Sequence, residues 1–432
     1  MASFPADRPA RRIVITGLGA VTPLGIGIET LWEGLIAGRS GVRRITRFDV
    51  SEYTSQIGGE VPEFDHSRWV DRREAKRLDR FVLLAVASSA EALEDAGVTF
   101  REFDEGRRAP DNVDPRRFGC QIGSGIGGLV TFEEQHTRLL EKGPRRVSPF
   151  TIPKLMANSA SGEVSALFGL RGPNPCTVTA CASATHSIGA ALGTIRTGAA
   201  DLVLTGGSEA PLTPLGLASF CSLKALSTRN DDPGRASRPF DKERDGFIMS
   251  EGAASLVIED LDHARRRGAK IYAEILGFGA SADAYHITQP DPEGDGATRA
   301  MRAAMEDAGL SPADIDYINA HGTSTYYNDK VETLAIKKAL GEEDARRVAI
   351  NSTKSMLGHS LGASGAIELA AVALSIRDGC VHPTVNQEVP DPDCDLDYVP
   401  NVARRMRVRA ALSNSLGFGG HNATLAVGEF RE

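Results

Sequence analysis

Short apolar runs rich in β-branched residues alternate with longer Ala- and Leu-rich segments along this chain of 432 residues. Runs of the first kind predict strands at Arg12–Thr16, Phe118–Gly123, Thr177–Thr179, Leu202–Thr205, Ala254–Glu259, Ile271–Ala280, Tyr317–Asn319, Ala349–Ser352, Ala410–Ser415 and Ala423–Val427. Segments of the second kind predict helices at Phe81–Ala96, Ser183–Thr197, Ala297–Ala308, Lys330–Leu340 and Ala363–Asp378. This alternation is typical of an α/β fold in which helices cover a sheet.

The predicted strands fall into two sets, which indicates an internal duplication. The polar segment Leu261–Lys270 suits a surface connection between them. Gly-rich strand ends recur in similar order, as IGSGIGG at Ile122–Gly128 and LGFGG at Leu416–Gly420. We therefore divide the chain into an N-terminal half, residues 1–260, and a C-terminal half, residues 261–432. Three long irregular segments are predicted to form caps or dimer elements: Asp49–Asp65, Phe220–Arg244 and Tyr285–Gly296.

Composition and charge exclude several classes of protein. The hydrophobic fraction of 41% and charged fraction of 25% are those of a soluble globular protein. A net charge of −8 argues against a general nucleic-acid binder. Six cysteines without paired short spacings indicate reduced intracellular thiols. The basic N-terminus lacks the apolar region of a signal peptide, and no apolar stretch is long enough to span a membrane. We predict a cytoplasmic protein.

Cys181 is the candidate nucleophile. It lies in TVTACASATHSIG, where a predicted strand ends and a small-residue helix begins. Unpaired backbone N–H groups at a helix start favour an anion, so we expect the pKa of this thiol to fall below the free value of about 8.5. Small neighbours leave room for an acyl thioester. On position alone, a buried core thiol and a nucleophile are equally good interpretations.

Two histidines favour the nucleophile. His321 in NAHGTST and His359 in KSMLGH both follow predicted strands, at the end where ligands of α/β sheets bind. Zinc binding is disfavoured because no short ligand spacing is present. A papain-type protease is disfavoured because its cysteine signature is absent and Lys354 would be unexplained. Neutral imidazole N–H groups suit acyl chemistry, since they stabilise negative charge on a thioester oxygen.

These residues resemble the β-ketoacyl-acyl-carrier-protein synthases of the elongating type II class. The motifs cover nearly the whole chain in order: VITGLGAVTPLG, IGSGIGGL, TACASATHSIG, LTGGSEA, ALSTRNDDPGRASRPFDKERDGF, NAHGTST, KSMLGH and GFGGHN. The resemblance implies a thiolase fold, with two duplicated halves whose mixed five-stranded sheets pack in an αβαβα arrangement, and a homodimer. It also implies fatty-acid elongation by condensation of an acyl chain with malonyl-ACP (ACP, acyl-carrier protein), without a required cofactor.

The resemblance assigns catalytic roles to individual residues. Cys181 is expected to accept the acyl group. His321 and His359 are expected to assist decarboxylation of the malonyl thioester and to hold the enolate. Lys354 is expected behind them, where its charge biases a histidine toward neutrality. Phe418 is the gating phenylalanine, whose backbone N–H forms an oxyanion hole with that of Cys181.

Further positions are expected to bind or support. Asp329 and Glu332 are expected to pair with Lys354. Substrate is expected at two acyl-tunnel residues and two threonines near the pantetheine arm: Ile126, Phe220, Thr323 and Thr325. A structural monovalent or divalent cation is expected at Asn319, Glu368, Ser413 and Asn414. Tyr326 stands where the family usually has proline. The absence of proline is expected to loosen this loop, and the bulky phenol to change the pantetheine entrance.

A basic surface is expected for ACP, which is acidic. The candidates lie in SRWVDRREAKRLDR, in GPRRVSPF and after the tunnel: Arg72, Arg73, Lys76, Arg77, Arg145, Arg146 and Lys224. The alternative is a solvated helix face, which explains most charge runs.

Three other functions share parts of this pattern. A ketosynthase of a type II polyketide pathway has the same catalytic residues and differs in partner and pocket. A non-catalytic chain-length partner lacks the nucleophile, whereas Cys181 is present. A degradative thiolase uses a second cysteine as base, whereas GFGGHN offers Phe418 there.

Overall fold

The strands and helices are those of a computed structural model that describes residues 11–103 and 107–432. Its strands are β1 Ile13–Thr22, β2 Gly25–Ile26, β3 Arg43–Arg44, β4 Ile57–Gly58, β5 Phe100–Phe103, β6 Arg107–Pro110, β7 Phe118–Gly123, β8 Leu202–Glu209, β9 Gly252–Asp260, β10 Ala273–Ala282, β11 Tyr317–Asn319, β12 Ala349–Asn351, β13 Cys380–Val381, β14 Arg404–Arg405, β15 Ala410–Gly417 and β16 His421–Gly428. Its helices are α1 Ile28–Ile36, α2 Arg72–Ala75, α3 Arg80–Asp95, α4 Leu129–Lys142, α5 Thr151–Leu155, α6 Ser159–Phe168, α7 Ser183–Arg196, α8 Pro214–Ser222, α9 Leu261–Arg266, α10 Asp295–Ala308, α11 Tyr326–Leu340, α12 Glu342–Arg347, α13 Lys354–Leu357 and α14 Ser364–Asp378.

The two halves share one strand order. The N-terminal half runs β1-β9-β8-β7, and the C-terminal half runs β10-β16-β15-β11, followed by β12. In each half the first two pairings are antiparallel and the third is parallel. The predicted joint after residue 260 falls between β9 and α9.

The halves are joined edge to edge. Ile13–Ile15 of β1 pairs antiparallel with Ala273–Ile275 of β10, so the two half-sheets form one ten-stranded sheet that includes β2. This pairing removes two exposed strand edges. The predicted thiolase-type α/β duplication is confirmed, although its two sheets are continuous and not separate.

The helices lie in three layers. α3 packs on the N-terminal half-sheet and α10 on the C-terminal one, while α7 and α14 contact strands of both halves. α14 is buried on all sides from Ser364 to Ser375, as expected of a central helix without a polar face. The predicted αβαβα layering follows from this placement. No helix within the described ranges is both long and apolar enough to cross a bilayer.

One predicted strand is wrong. Residues 177–179 form no strand, and Val178 is 53% exposed. The segment before these residues does hydrogen-bond to β7, where the Cys120 N–H donates to the Pro173 carbonyl over 3.0 Å. Among the described residues, Thr177 and Val178 have no backbone hydrogen-bond partner. The β-branched composition of this run therefore does not lead to a strand here, because the run has no neighbouring strand to pair with among the described residues.

Candidate active site

Cys181 lies in a 3₁₀ turn, Ala180–Ala182, that leads directly into α7. Ala180 has a φ of 49°, a left-handed conformation that non-glycine residues rarely adopt. The C-terminal half repeats this turn at Leu361–Ala363, where Leu361 has a φ of 46° and α14 follows. The duplication thus builds two similar turns, and the first carries the thiol.

The resting Cys181 side chain is a thiol. Burial raises its pKa to about 11, and the nearby Glu209 carboxylate adds to this rise. Lys354 and the Phe418 backbone N–H act in the opposite direction but are outweighed. The expectation of a lowered pKa is therefore wrong, because desolvation of the thiolate exceeds the effect of the helix end.

Two backbone donors lie beside the thiol. Phe418 stands at the turn of the β15–β16 hairpin, and its N–H and that of Cys181 both lower the pKa of the thiol, which burial raises. Gly417 makes this approach possible, since a Cβ there would come within 2.9 Å of the Thr179 carbonyl oxygen. These are the two N–H groups that are expected to form an oxyanion hole.

His321 and His359 face each other in the same cavity. Their ring centroids are 5.3 Å apart at 85°, and both side chains are buried. The Lys354 ammonium lies 3.3 Å from His321 Nδ1. Because an ammonium group only donates, Nδ1 accepts and the ring proton is on Nε2. His359 Nδ1 bonds to the Ser364 hydroxyl over 2.9 Å, which fixes its ring from behind.

Both histidines are held neutral. Burial lowers the pKa of each well below its usual range, and the Lys354 charge lowers both further. Neutral rings with a proton on the cavity side are hydrogen-bond donors to a carbonyl oxygen. The predicted effect of Lys354 on the histidines therefore has the expected direction.

The ion-pair partner of Lys354 differs from the expected one. Its ammonium bonds to Glu368, and both side chains are almost fully buried. Glu332 instead accepts the backbone N–H groups of His321 and Gly322, each over 2.8 Å. Burial raises the pKa of Glu332 to about 7. Glu332 thus shapes the His321 loop and does not neutralise Lys354.

Asp329 also holds this loop. It accepts the backbone N–H of Thr323 over 3.0 Å and that of Phe240 over 2.8 Å. The Arg244 guanidinium lies 3.7 Å from its carboxylate and donates to the backbone carbonyls of Thr325 and Tyr326. This arginine therefore connects the carboxylate with the segment that forms the cavity entrance.

The predicted substrate residues surround one cavity of about 530 Å³. Cys181, His321, His359 and Phe418 line it, together with Ile126, Phe220, Thr323, Thr325 and Lys224. The Thr323 and Thr325 hydroxyls bond to each other over 2.8 Å. This volume is in the range of ordinary ligand pockets.

Tyr326 lies at the cavity entrance, as expected from its position. It is 55% exposed, and the Arg244 guanidinium lies 5.5 Å from its ring centroid. The next residue, Tyr327, is also exposed and meets it edge to face at 5.3 Å. The segment that carries proline in the family is here the start of α11 and presents two aromatic rings.

Sequence reasoning missed two supporting residues. Glu209 ends β8 fully buried, and it accepts the Ser124 hydroxyl and the backbone N–H groups of Gly125 and Gly362 over 2.6–3.0 Å. It thereby connects the loop of Ile126 with the turn that follows His359. The signal was a carboxylate at the end of a buried strand. Phe247, which meets the His359 ring at 5.5 Å, gave no such signal.

Three of the four predicted cation ligands have unused oxygen atoms. Asn319 Oδ1, Glu368 Oε2 and Ser413 Oγ are buried without a hydrogen-bond partner among the described residues. Asn319 and Ser413 are register partners in the β11–β15 ladder, against which α14 packs. The Asn414 side chain bonds instead to Glu332 and Thr424. Oxygen-only donors fit a hard cation.

The predicted docking residues are exposed and unpaired. None of Arg72, Arg73, Lys76, Arg77, Arg145, Arg146 and Lys224 forms an ion pair with an acid in the described part of the chain. Arg77 stacks on Phe150 at 5.1 Å, which connects the α2 segment with the loop of Arg145 and Arg146. Lys224 lies at the cavity itself.

Comparisons with known proteins agree with this site. The N-terminal domain of beta-ketoacyl synthase matches residues 10–264, and its C-terminal domain matches residues 272–388. The chain belongs to the β-ketoacyl synthase family. The 3-oxoacyl-[acyl-carrier-protein] synthase 2 of Synechocystis is 52% identical over 99% of this chain and 100% of that protein. The enzyme of the same name from Coxiella burnetii is 50% identical over 96% of this chain and 98% of its own.

Solved structures of β-ketoacyl synthases share the fold. A type II polyketide ketosynthase in complex with its acyl-carrier protein is 36% identical, with a TM-score of 0.89 over 98% of this chain and 100% of that one. A β-ketoacyl synthase from Burkholderia phymatum is also 36% identical, with a TM-score of 0.87 over the same shares.

Proposed function

We propose that this β-ketoacyl synthase condenses an acyl thioester on Cys181 with malonyl-ACP and so elongates fatty acids. The observation that carries the proposal is one cavity that brings a thiol, two neutral histidines and two backbone donors together. The relatives at 50–52% identity bear the name of this activity.

The first half-reaction loads the enzyme. Acyl-ACP enters past Lys224 and places its carbonyl oxygen between the N–H groups of Cys181 and Phe418. The Cys181 sulfur attacks the carbonyl carbon, the bond to the pantetheine sulfur breaks, and the thiol proton leaves with ACP. Since the resting thiol has a pKa of about 11, the donors must stabilise the oxyanion while the proton is transferred.

The second half-reaction forms the carbon–carbon bond. The malonyl thioester oxygen accepts the Nε2 proton of His321 in a hydrogen bond, and His359 faces the same oxygen. The bond to the carboxylate breaks, carbon dioxide leaves, and the electron pair attacks the Cys181 thioester. The Cys181 thiolate is released and takes up a proton. Loss of carbon dioxide supplies the nucleophile, so this scheme contains no redox step and no strong base.

The decisive experiment is a product assay with the purified chain. We expect malonyl-ACP and acyl-ACPs of several lengths to give carbon dioxide and 3-oxoacyl-ACP two carbons longer. Absence of the extended product with every length contradicts the proposed function. The lengths accepted identify the substrate range that Ile126 and Phe220 allow.

A polyketide ketosynthase is the second candidate function. The solved polyketide ketosynthase supports it, because the two chains share a fold. Its sequence is 36% identical to this chain, however, whereas the 3-oxoacyl-[acyl-carrier-protein] synthases are 50–52% identical. Repeated condensation without intervening reduction of the keto group distinguishes the two. Release of the product after one extension favours the fatty-acid function.

We propose ACP docking on the basic surface formed by Arg73, Lys76, Arg77, Arg145, Arg146 and Lys224. Reversing two charges in Lys76→Glu with Arg146→Glu is expected to raise KM for acyl-ACP about tenfold and to leave kcat for pantetheine thioesters unchanged. The matched control reverses Arg265 and Arg266, which are exposed on α9 away from the cavity. An unchanged KM contradicts docking at this surface.

We also propose a homodimer in the cytoplasm. The backbone of Thr177 and Val178 has no backbone partner among the described residues and is free to pair with the same segment of a second copy, and the apolar Val178 and Met156 side chains are exposed. Sedimentation velocity is expected to show a dimer, and Val178→Pro, which removes one N–H, a monomer. A monomeric wild type contradicts this interface.

The proposed cytoplasmic location is supported by six cysteines that form no disulfide. Cell fractionation tests it.

A structural cation is proposed between Asn319, Glu368 and Ser413. The cation would bind oxygen atoms that otherwise lack partners. Its positive charge would lie beside the buried Glu368 carboxylate. We expect the melting temperature to rise when potassium, sodium or magnesium is added after exhaustive dialysis, and Ser413→Ala to weaken that response. A melting temperature independent of all three ions contradicts the site.

A further inference from the structure

His186 and His421 form a second histidine pair, outside the cavity lining. His186 lies in the first turn of α7. It is separate from His321 and His359, to which the catalytic roles are assigned. Its Nδ1 atom lies 3.0 Å from the Thr179 hydroxyl and 3.2 Å from the Ala182 carbonyl oxygen. A carbonyl only accepts, so Nδ1 carries a proton and donates to it. His186 therefore holds both ends of the turn that contains Cys181.

His421 is the other member, at the start of β16. Its ring centroid lies 6.3 Å from that of His186 at 85°. A Cβ on Gly419 would come within 3.1 Å of its Cδ2 and Nε2 atoms, so the ring lies directly against the turn that carries Phe418. Phe278 of β10 packs against His186 at 5.9 Å and closes the other side.

The pair thus connects the two segments that supply the oxyanion donors. One donor is the N–H of Cys181, in the turn bonded to His186. The other is the N–H of Phe418, beside the glycine supported by His421. Elsewhere these segments meet at the close contact of Gly417 with the turn and at a 2.7 Å hydrogen bond between the Thr185 and Ser415 hydroxyls. The histidine pair adds a separate set of contacts on the side away from the cavity, next to both donors.

We propose that His186 and His421 are positioning residues that fix the separation of the two oxyanion donors. The proposal rests on the proposed function, since it concerns the site of acyl transfer to Cys181. It also predicts a separation of the half-reactions. Acyl transfer and condensation use the two backbone donors, whereas decarboxylation of the malonyl thioester uses His321 and His359.

The experiment measures both half-reactions in the intact enzyme. For His421→Ala we expect acylation of Cys181 from acyl-ACP to slow about tenfold to a hundredfold, because small displacements of oriented groups are costly. Carbon dioxide release from malonyl-ACP in the absence of acyl donor is expected to stay within about twofold. His421→Phe, which restores a ring beneath Gly419, is expected to recover acylation. His186→Phe, which keeps the ring but loses its donor, is expected to be slow.

A histidine with a structural contact elsewhere serves as control. His263 bonds to Glu259, and His263→Ala removes that contact without touching the cavity. It is expected to lower the melting temperature and to leave both half-reactions unchanged. Equal acylation rates in wild type and His421→Ala overturn the positioning role, and so does an equal loss of both half-reactions. A wild type that takes up no acyl group overturns the proposed function and the positioning role together. The wild-type measurement alone distinguishes this outcome from a failure of the positioning role.

Discussion

Replacing Cys181 by alanine is expected to abolish condensation, with a loss of about four to six orders of magnitude in kcat, as for other covalent nucleophiles. The reason is chemical, since no other thiol lines the cavity in the described part of the chain. Intact mass spectrometry after incubation with acyl-ACP measures the effect directly. The wild type is expected to gain the mass of one acyl group, and Cys181→Ala to gain none.

The matched control is Cys176→Ala. Cys176 precedes the same turn and is partly exposed, but it lies outside the lining of the cavity that contains Cys181, His321 and His359. This variant is expected to acylate like the wild type. An acyl mass that persists in Cys181→Ala, or that disappears in Cys176→Ala, contradicts the assignment of the nucleophile.

Much of the fold was predictable because local composition decided it. Phe118–Gly123 and Tyr317–Asn319 have the predicted bounds, since each is a short run with an aromatic residue and an isoleucine that ends close to a glycine-containing loop. The pairing of β1 with β10 was not predictable, because a sequence shows which segments are extended but not which edges meet. The predicted strand at Val178 fails for the same reason, because none of the described segments pairs with it.

The site, like the fold, was predictable only in part. Cys181, His321, His359 and Phe418 were found because each lies in a motif, and the fold brings these motifs together around one cavity. The protonation state of Cys181 was mispredicted, because burial depends on packing that the local motif does not contain.

Supporting carboxylates were the least predictable part of the site. Lys354 has Glu368 as its partner, supplied by the central helix α14 and not by the segment after His321. Such a contact depends on how layers stack, which spacing along the chain does not reveal.

The second large effect is expected at the histidines. His321→Ala is expected to lower the rate of malonyl-ACP decarboxylation about 10²- to 10⁴-fold, while acylation of Cys181 continues. His321→Gln is expected to recover part of the rate, because the amide N–H reaches the place of Nε2–H without acting as a base. Carbon dioxide release and the acyl mass gain measure the two steps separately. Equal rates for the Ala and Gln variants contradict a role as a neutral donor.

The same role fixes the pH dependence. Burial and Lys354 lower the pKa of His321 and His359, so the donors stay neutral as pH falls through 6.5, the ordinary histidine value. The decarboxylation rate is therefore expected to stay flat there and to fall only at lower pH, where the rings gain protons. In Lys354→Met one of the causes that lower these pKa values is lost, so the pKa of both histidines rises and the fall in rate moves to higher pH. It does not return fully to the ordinary value, because burial remains. A wild-type rate that already falls at the ordinary histidine value, or a Lys354→Met profile displaced to lower pH, contradicts this account of the site.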